Sequence, residues 1–161
     1  MRTFRAVALV FALTLAAGCG PGSSSLEEAP VARPLAPTSK DFGDYVVHFN
    51  AISSSIISPE DAAKYGIARS RSSALLNVVM LSKDGAPGHT PVSGDVLVKV
   101  TNLTGQVKNI AMKRVTEGRA IYYIGEVAVT NDERLNFNIE ATPEGKSRPL
   151  TIKHQQQFFT R

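Results

Sequence analysis

The chain has 161 residues, 43% of them apolar, with 18 basic and 14 acidic side chains and a single cysteine. This length suits one domain. One Cys excludes an intramolecular disulfide, and so small an excess of positive charge gives no ground for nucleic-acid recognition.

Met1-Arg2-Thr3-Phe4-Arg5 is a short basic opening, and 6–17 (AVALVFALTLAA) is an uncharged run of 12 residues. A membrane-spanning helix needs roughly 20 apolar residues, so the run reads as the apolar segment of a secretory signal. Leu15-Ala16-Ala17-Gly18-Cys19 follows. It resembles the lipobox of bacterial lipoproteins, in which the Cys becomes the acylated first residue of the mature chain. Leu stands four residues before Cys19, with Ala16 where Leu is commonest, and the small residues also suit ordinary signal cleavage. A lone thiol at the junction favours lipidation of Cys19. Gly20, rather than Asp, resembles lipoproteins sorted to the outer membrane. The expected location is therefore the cell envelope, facing the periplasm. Losing 1–18 removes Arg2 and Arg5, which leaves 16 basic against 14 acidic residues.

Residues 19–41 then form a tether whose Gly, Pro, Ser and Ala content offers no apolar face to bury. The folded domain is expected over 42–161. Its first strand, 44–51 (DYVVHFNA), alternates with Tyr45, Val47 and Phe49 on one face. Ser58-Pro59-Glu60-Asp61 supplies a helix N-cap, Pro at the first helical position and early acids, and Gly66 supplies the stop. This two-turn helix connects the first strand to 73–82 (SALLNVVMLS), which is apolar on both faces like a central strand. The next strand, 95–103, points Val96, Val98 and Val100 inward. Strands at 106–116 and 119–130 flank Glu117-Gly118, a two-residue hairpin signal. In 134–142, Leu135, Phe137 and Ile139 alternate with Asn136, Asn138 and Glu140, and 149–160 is last. About seven antiparallel strands with short turns, and one short helix between the first two, predict an all-β, immunoglobulin-like sandwich. The chain has no Trp, so the antibody Cys…Trp…Cys pattern is absent.

Several stretches carry a family likeness: 42–48 (FGDYVVH), 102–106 (NLTGQ), 121–126 (IYYIGE) and 156–160 (QQFFT). Together they resemble an uncharacterised family of exported bacterial proteins, domain of unknown function 4426, over essentially 42–161. The resemblance implies an immunoglobulin-like fold in a periplasmic setting. It implies no reaction and no catalytic residues.

No cofactor or catalytic set emerges from the residues themselves. The serine runs are linker and loop material, there is no Gly-X-Ser-X-Gly elbow, and Glu60 and Asp61 are explained as helix N-terminal acids. His48 and His154 fall on the first and last strands, which are often neighbours in such sandwiches. They are the candidate residues of an alternative reading, a periplasmic small-ligand or copper-binding carrier, in which Met80 or Met112 would add a soft ligand for copper. A third reading is a protease inhibitor that uses the 83–91 loop. Lys64, Arg69 and Arg71 form a local basic cluster suited to anionic headgroups.

The leading expectation is a non-enzymatic envelope lipoprotein that binds or scaffolds another envelope protein. Pairing the hairpin with Thr116 opposite Arg119 puts Ile110, Met112, Ile121, Tyr123 and Val127 on a core face. The opposite face carries Lys113, Val115, Tyr122, Ile124 and Glu126, and is unusually apolar for a surface meeting water. Tyr122 and Ile124, rimmed by Lys113 and Glu126, are the candidate partner-binding patch. The competing expectation is that the short helix or a loop of the same domain covers this face.

Overall fold

The computed structural model describes residues 38–84 and 88–161. The expected signal segment, Cys19 and nearly all of the expected tether lie outside the described residues, as does part of the 83–91 loop.

Ten strands and one α-helix follow in chain order: β1 (Ser39–Asp41), β2 (Tyr45–Ser53), α1 (Pro59–Tyr65), β3 (Ser73–Ser82), β4 (Thr90–Pro91), β5 (Gly94–Asn102), β6 (Val107–Lys108), β7 (Lys113–Glu117), β8 (Ala120–Ala128), β9 (Glu133–Pro143) and β10 (Leu150–Phe158). A single 3₁₀ turn, Ser54–Ile56, precedes α1. All the strand pairings are antiparallel. Sheet A has the order β1-β2-β3-β8-β7, with β4 also on β3, and sheet B has the order β10-β9-β5-β6. β2-β3-β8-β7 and β10-β9-β5 reproduce the A-B-E-D and G-F-C sheets of the immunoglobulin sandwich. The expected fold class is therefore the one observed.

Period-two alternation builds the layers. Val47, Phe49 and Ala51 of β2 and Ala74, Leu76, Val78 and Met80 of β3 are buried on the inner face of sheet A. They meet Val96, Val100, Leu135, Phe137, Ile139 and Ile152 from sheet B. Tyr123 joins the layers by more than packing. Its hydroxyl donates to the Gly94 carbonyl and accepts from the Gly94 N–H, both at 2.8 Å. A buried phenol is thus satisfied by the backbone of the other sheet.

Local signals set α1 where expected. The Ser58 side chain accepts from Asp61 N, Pro59 opens the helix, and Gly66 closes it in the left-handed region at φ 62°.

Three expectations need correction. A strand precedes residue 42, because β1 pairs with β2 through Lys40↔Val47. Its exposed, polar Ser-Lys-Asp sequence has no apolar period to reveal it. The strand expected over 106–116 is two strands in different sheets: β6 pairs with β5, and β7 pairs with β8. The chain crosses between layers at 109–112. Gly125 makes the crossing possible, since a Cβ there would stand 2.5 Å from Met112 Sδ and 2.9 Å from Ile110 Cγ1. The hairpin turn is Gly118-Arg119, closed by Glu117↔Ala120, with Gly118 at φ 56°. A glycine at positive φ in the first central position is the type II′ choice. Lys113 is therefore opposite Ile124 rather than Tyr122. The offset is even, so each residue keeps its face.

Candidate functional site: a cleft beside the helix

The outer face of sheet A is not bare. α1 lies on it, and Ala62 and Ile67 bury Leu75 of β3 and Ile124 of β8 in a second apolar cluster. Ile57, Tyr65, Val115 and Tyr122 pack around that cluster. Ile124 is only 6% exposed. The patch expected to meet a partner through Ile124 is thus covered by the helix of its own domain. The physical reason is that Ala62 and Ile67 bury the same apolar area a partner would have buried. Its two rim residues serve as fasteners. Lys113 Nζ donates to the Tyr65 carbonyl, and Glu126 Oε1 accepts from Ala68 N at 3.0 Å.

Further bonds staple the segment around α1. Tyr65 donates its hydroxyl to Glu117 Oε2 at 2.6 Å, and Lys64 pairs with Glu117 Oε1. The Lys64 hydrogen bond, then that of Tyr65, lowers the Glu117 pKa, while Glu117 raises those of Lys64 and Tyr65. At the other end Ser54 is fully buried. Its hydroxyl donates toward the Ala68 and Ser70 carbonyls and accepts from Ser70 N at 3.0 Å.

The helix does not close the whole face. A cleft of about 320 Å³ remains between α1 and the sheet. Tyr122, Ile124, Leu75 and Ile52 form its apolar floor, Ile57, Tyr65 and Ile67 stand at the helix side, and Asn50, Asn77, Asp61 and Glu117 supply polar groups. Asn77 Oδ1 is buried and has no hydrogen-bond partner, an uncommon and costly state for a carbonyl oxygen. Tyr122, half of the expected patch, therefore belongs to a concave site and not to a flat one. Asn77 is the residue that sequence reasoning passed over. Its signal was available: a lone amide in a strand otherwise apolar on both faces.

The two candidate copper ligands are not brought together. His48 lies between buried Val47 and Phe49 on β2, and its exposed side chain faces outward. His154 is buried on the inner side, 5.1 Å from the Phe49 ring and 6.1 Å from the Phe137 ring between centroids. Burial holds its pKa below the ordinary 6.5. Among the described residues no group of three His, Cys, Asp or Glu side chains converges to hold a metal ion. The basic cluster is also divided, with Lys64 engaged by Glu117 and Arg69 donating to the Ser55 carbonyl.

The arrangement suits recognition: an apolar floor, a few placed polar groups and a rigid frame. Comparison with known proteins agrees with the fold and adds no activity. No curated protein matches the chain. A crystal structure of a DUF4426 family protein from Pseudomonas aeruginosa PAO1 is similar at 30% identity and a TM-score of 0.65. The match covers 75% of this chain and 93% of that one. The model of the domain of unknown function DUF4426 matches residues 39–161, and the chain belongs to that family.

Proposed function

We propose that this protein is a non-enzymatic binding module of the bacterial cell envelope, held to a membrane through lipid on Cys19. Its cleft beside α1 receives an apolar side chain from a partner envelope protein. The observation that carries the reading is the cleft itself, which is lined by half-buried Tyr122 together with Asn77. Tyr is a favoured anchor because its ring buries area while its hydroxyl bonds. The basic opening, the apolar run at 6–17 and Cys19 support the envelope setting.

The test is a photo-crosslinking residue placed at Val115, on the cleft lining, in the full chain in cells, with Leu97 on the far sheet as control. A discrete protein adduct is expected at 115 and not at 97. It should disappear in Tyr122→Ala while the melting temperature stays within a few degrees. An adduct that survives Tyr122→Ala, or none at 115, rejects the cleft as the binding site.

A further inference from the structure

The large apolar side chains that stand exposed among the described residues are Ile56, Leu97, Leu103, Val107 and Phe159, each 59–69% accessible. Single exposed apolar residues are ordinary. These are not scattered. All but Leu97 lie at one end of the sandwich, where β2, β5, β8 and β10 finish and β3, β6 and β9 begin. The pairs Ser53↔Ala74, Asn102↔Leu135 and Phe158↔Glu133 mark that end in the two sheets. Lys108 joins them there, bonded to the Ala128 carbonyl and to Glu133.

The apolar residues are held on ordered backbone. Asn102 Oδ1 accepts from Thr104 N, Thr104 Oγ1 and Gln106 N, which fixes the turn that displays Leu103. Thr160 N donates to Asn131 Oδ1, which holds the segment carrying Phe159 against the β8–β9 turn. Ile56 ends the 3₁₀ turn capped by Ser53.

The charge at this end is positive. Arg69 and Arg71, just before β3, and Arg161, beyond β10, are exposed; Arg69 donates one guanidinium N–H to the Ser55 carbonyl and keeps its charge and its other donors. Of the neighbouring acids, Glu133 is paired with Lys108 at 2.6 Å, while Asp132, bonded to the neutral Gln157 amide, keeps its charge. The described chain begins at Thr38, whose carbonyl accepts from Phe49 N on β2.

We infer that this end of the sandwich is a membrane-docking surface. Ile56, Leu103, Val107 and Phe159 enter the interface, and Arg69, Arg71 and Arg161 meet the phosphates of anionic lipid. The inference rests on the envelope-membrane setting proposed above. An acyl chain joined to a basic, apolar contact is the two-signal arrangement that gives durable attachment. It also leaves the cleft, on a side face of the sandwich, open to a partner.

The experiment uses the chain from residue 19 onward with Cys19→Ser, so that no acyl group contributes. Flotation with vesicles of phosphatidylcholine containing about one third phosphatidylglycerol should show binding that weakens with salt, and pure phosphatidylcholine should bind far less. Leu103→Ser with Phe159→Ser, and separately Arg69→Ala with Arg71→Ala, should each lower binding roughly tenfold or more. Leu97→Ser should change nothing. These positions are exposed, so unchanged melting temperatures will show that the fold is intact. Absence of binding to the anionic vesicles at low salt overturns the proposal, as does an equal loss from Leu97→Ser. So does a protein adduct at 103 without vesicle binding, which would make this end a protein contact. If the natural chain carries no acyl group while vesicle binding holds, the anchor reading fails and the docking surface stands.

Discussion

The Tyr65 hydroxyl donates to Glu117 Oε2 at 2.6 Å, tying the last residue of α1 to the tip of the β7–β8 hairpin. The same carboxylate pairs with Lys64, so one side chain holds both wall and floor of the cleft. Glu117→Ala should free α1 without unfolding the sandwich, because exposed ion pairs contribute little to global stability. The expected signature is faster amide exchange across 59–68 with unchanged exchange in β3 and β9. Equal protection in both proteins would show that apolar packing alone holds the helix.

Ile124 and Phe137 test the two apolar clusters. Phe137→Ala, at a site 1% exposed between the sheets, should cost about 3–5 kcal/mol. Ile124→Ala, under α1, should cost about 2–5 kcal/mol and release the helix as well. A near-zero change at Ile124 in chemical denaturation would mean that α1 is not seated on the sheet in solution.

Ser54 is fully buried and serves three backbone groups. Ser54→Ala should cost about 1–3 kcal/mol, because the Ala68 and Ser70 groups are left without their partner. Ser54→Thr, which keeps the hydroxyl, should recover part of that loss. If Ala and Thr behave alike, the hydroxyl is not the stabilising element.

His154 gives the fold a pH dependence of definite sign. Burial between the Phe49 and Phe137 rings holds its pKa below 6.5. The unfolded chain therefore takes up this proton first as pH falls. Stability should be full above 6.5, decline as pH drops below it, and level off once the depressed native value is passed. Denaturation midpoints of the natural chain and His154→Phe, compared from pH 8 downward, should diverge over this window. Parallel curves would remove His154 as the cause.

Lipidation at Cys19 is tested by fractionation. Cys19→Ser should move the protein from the tightly membrane-bound fraction, resistant to high salt, to one released by salt. The acyl mass on the mature N-terminus should vanish with it. The same fractionation for both proteins, with no acyl mass on the natural one, rejects the anchor.

Much of this protein is written locally. Ser58, Pro59 and Gly66 set both ends of α1 because capping and positive φ act within one turn. Leu135, Phe137 and Ile139 declare β9 and its inner face because a half-buried strand must alternate. Other features depend on partners distant in the chain. The break between β6 and β7 has no marker within 106–116, since it depends on the missing Cβ of Gly125 on another strand. β1 is polar and exposed, and only its pairing with β2 makes it a strand. Tyr122 and Ile124 read as apolar from the sequence, but whether water, a partner or α1 covers them is decided by where Ala62 and Ile67 come to rest. His48 and His154 fall in different environments for the same reason: alternation gives each residue a side of its strand, and only the packing of one sheet on the other makes that side an interior.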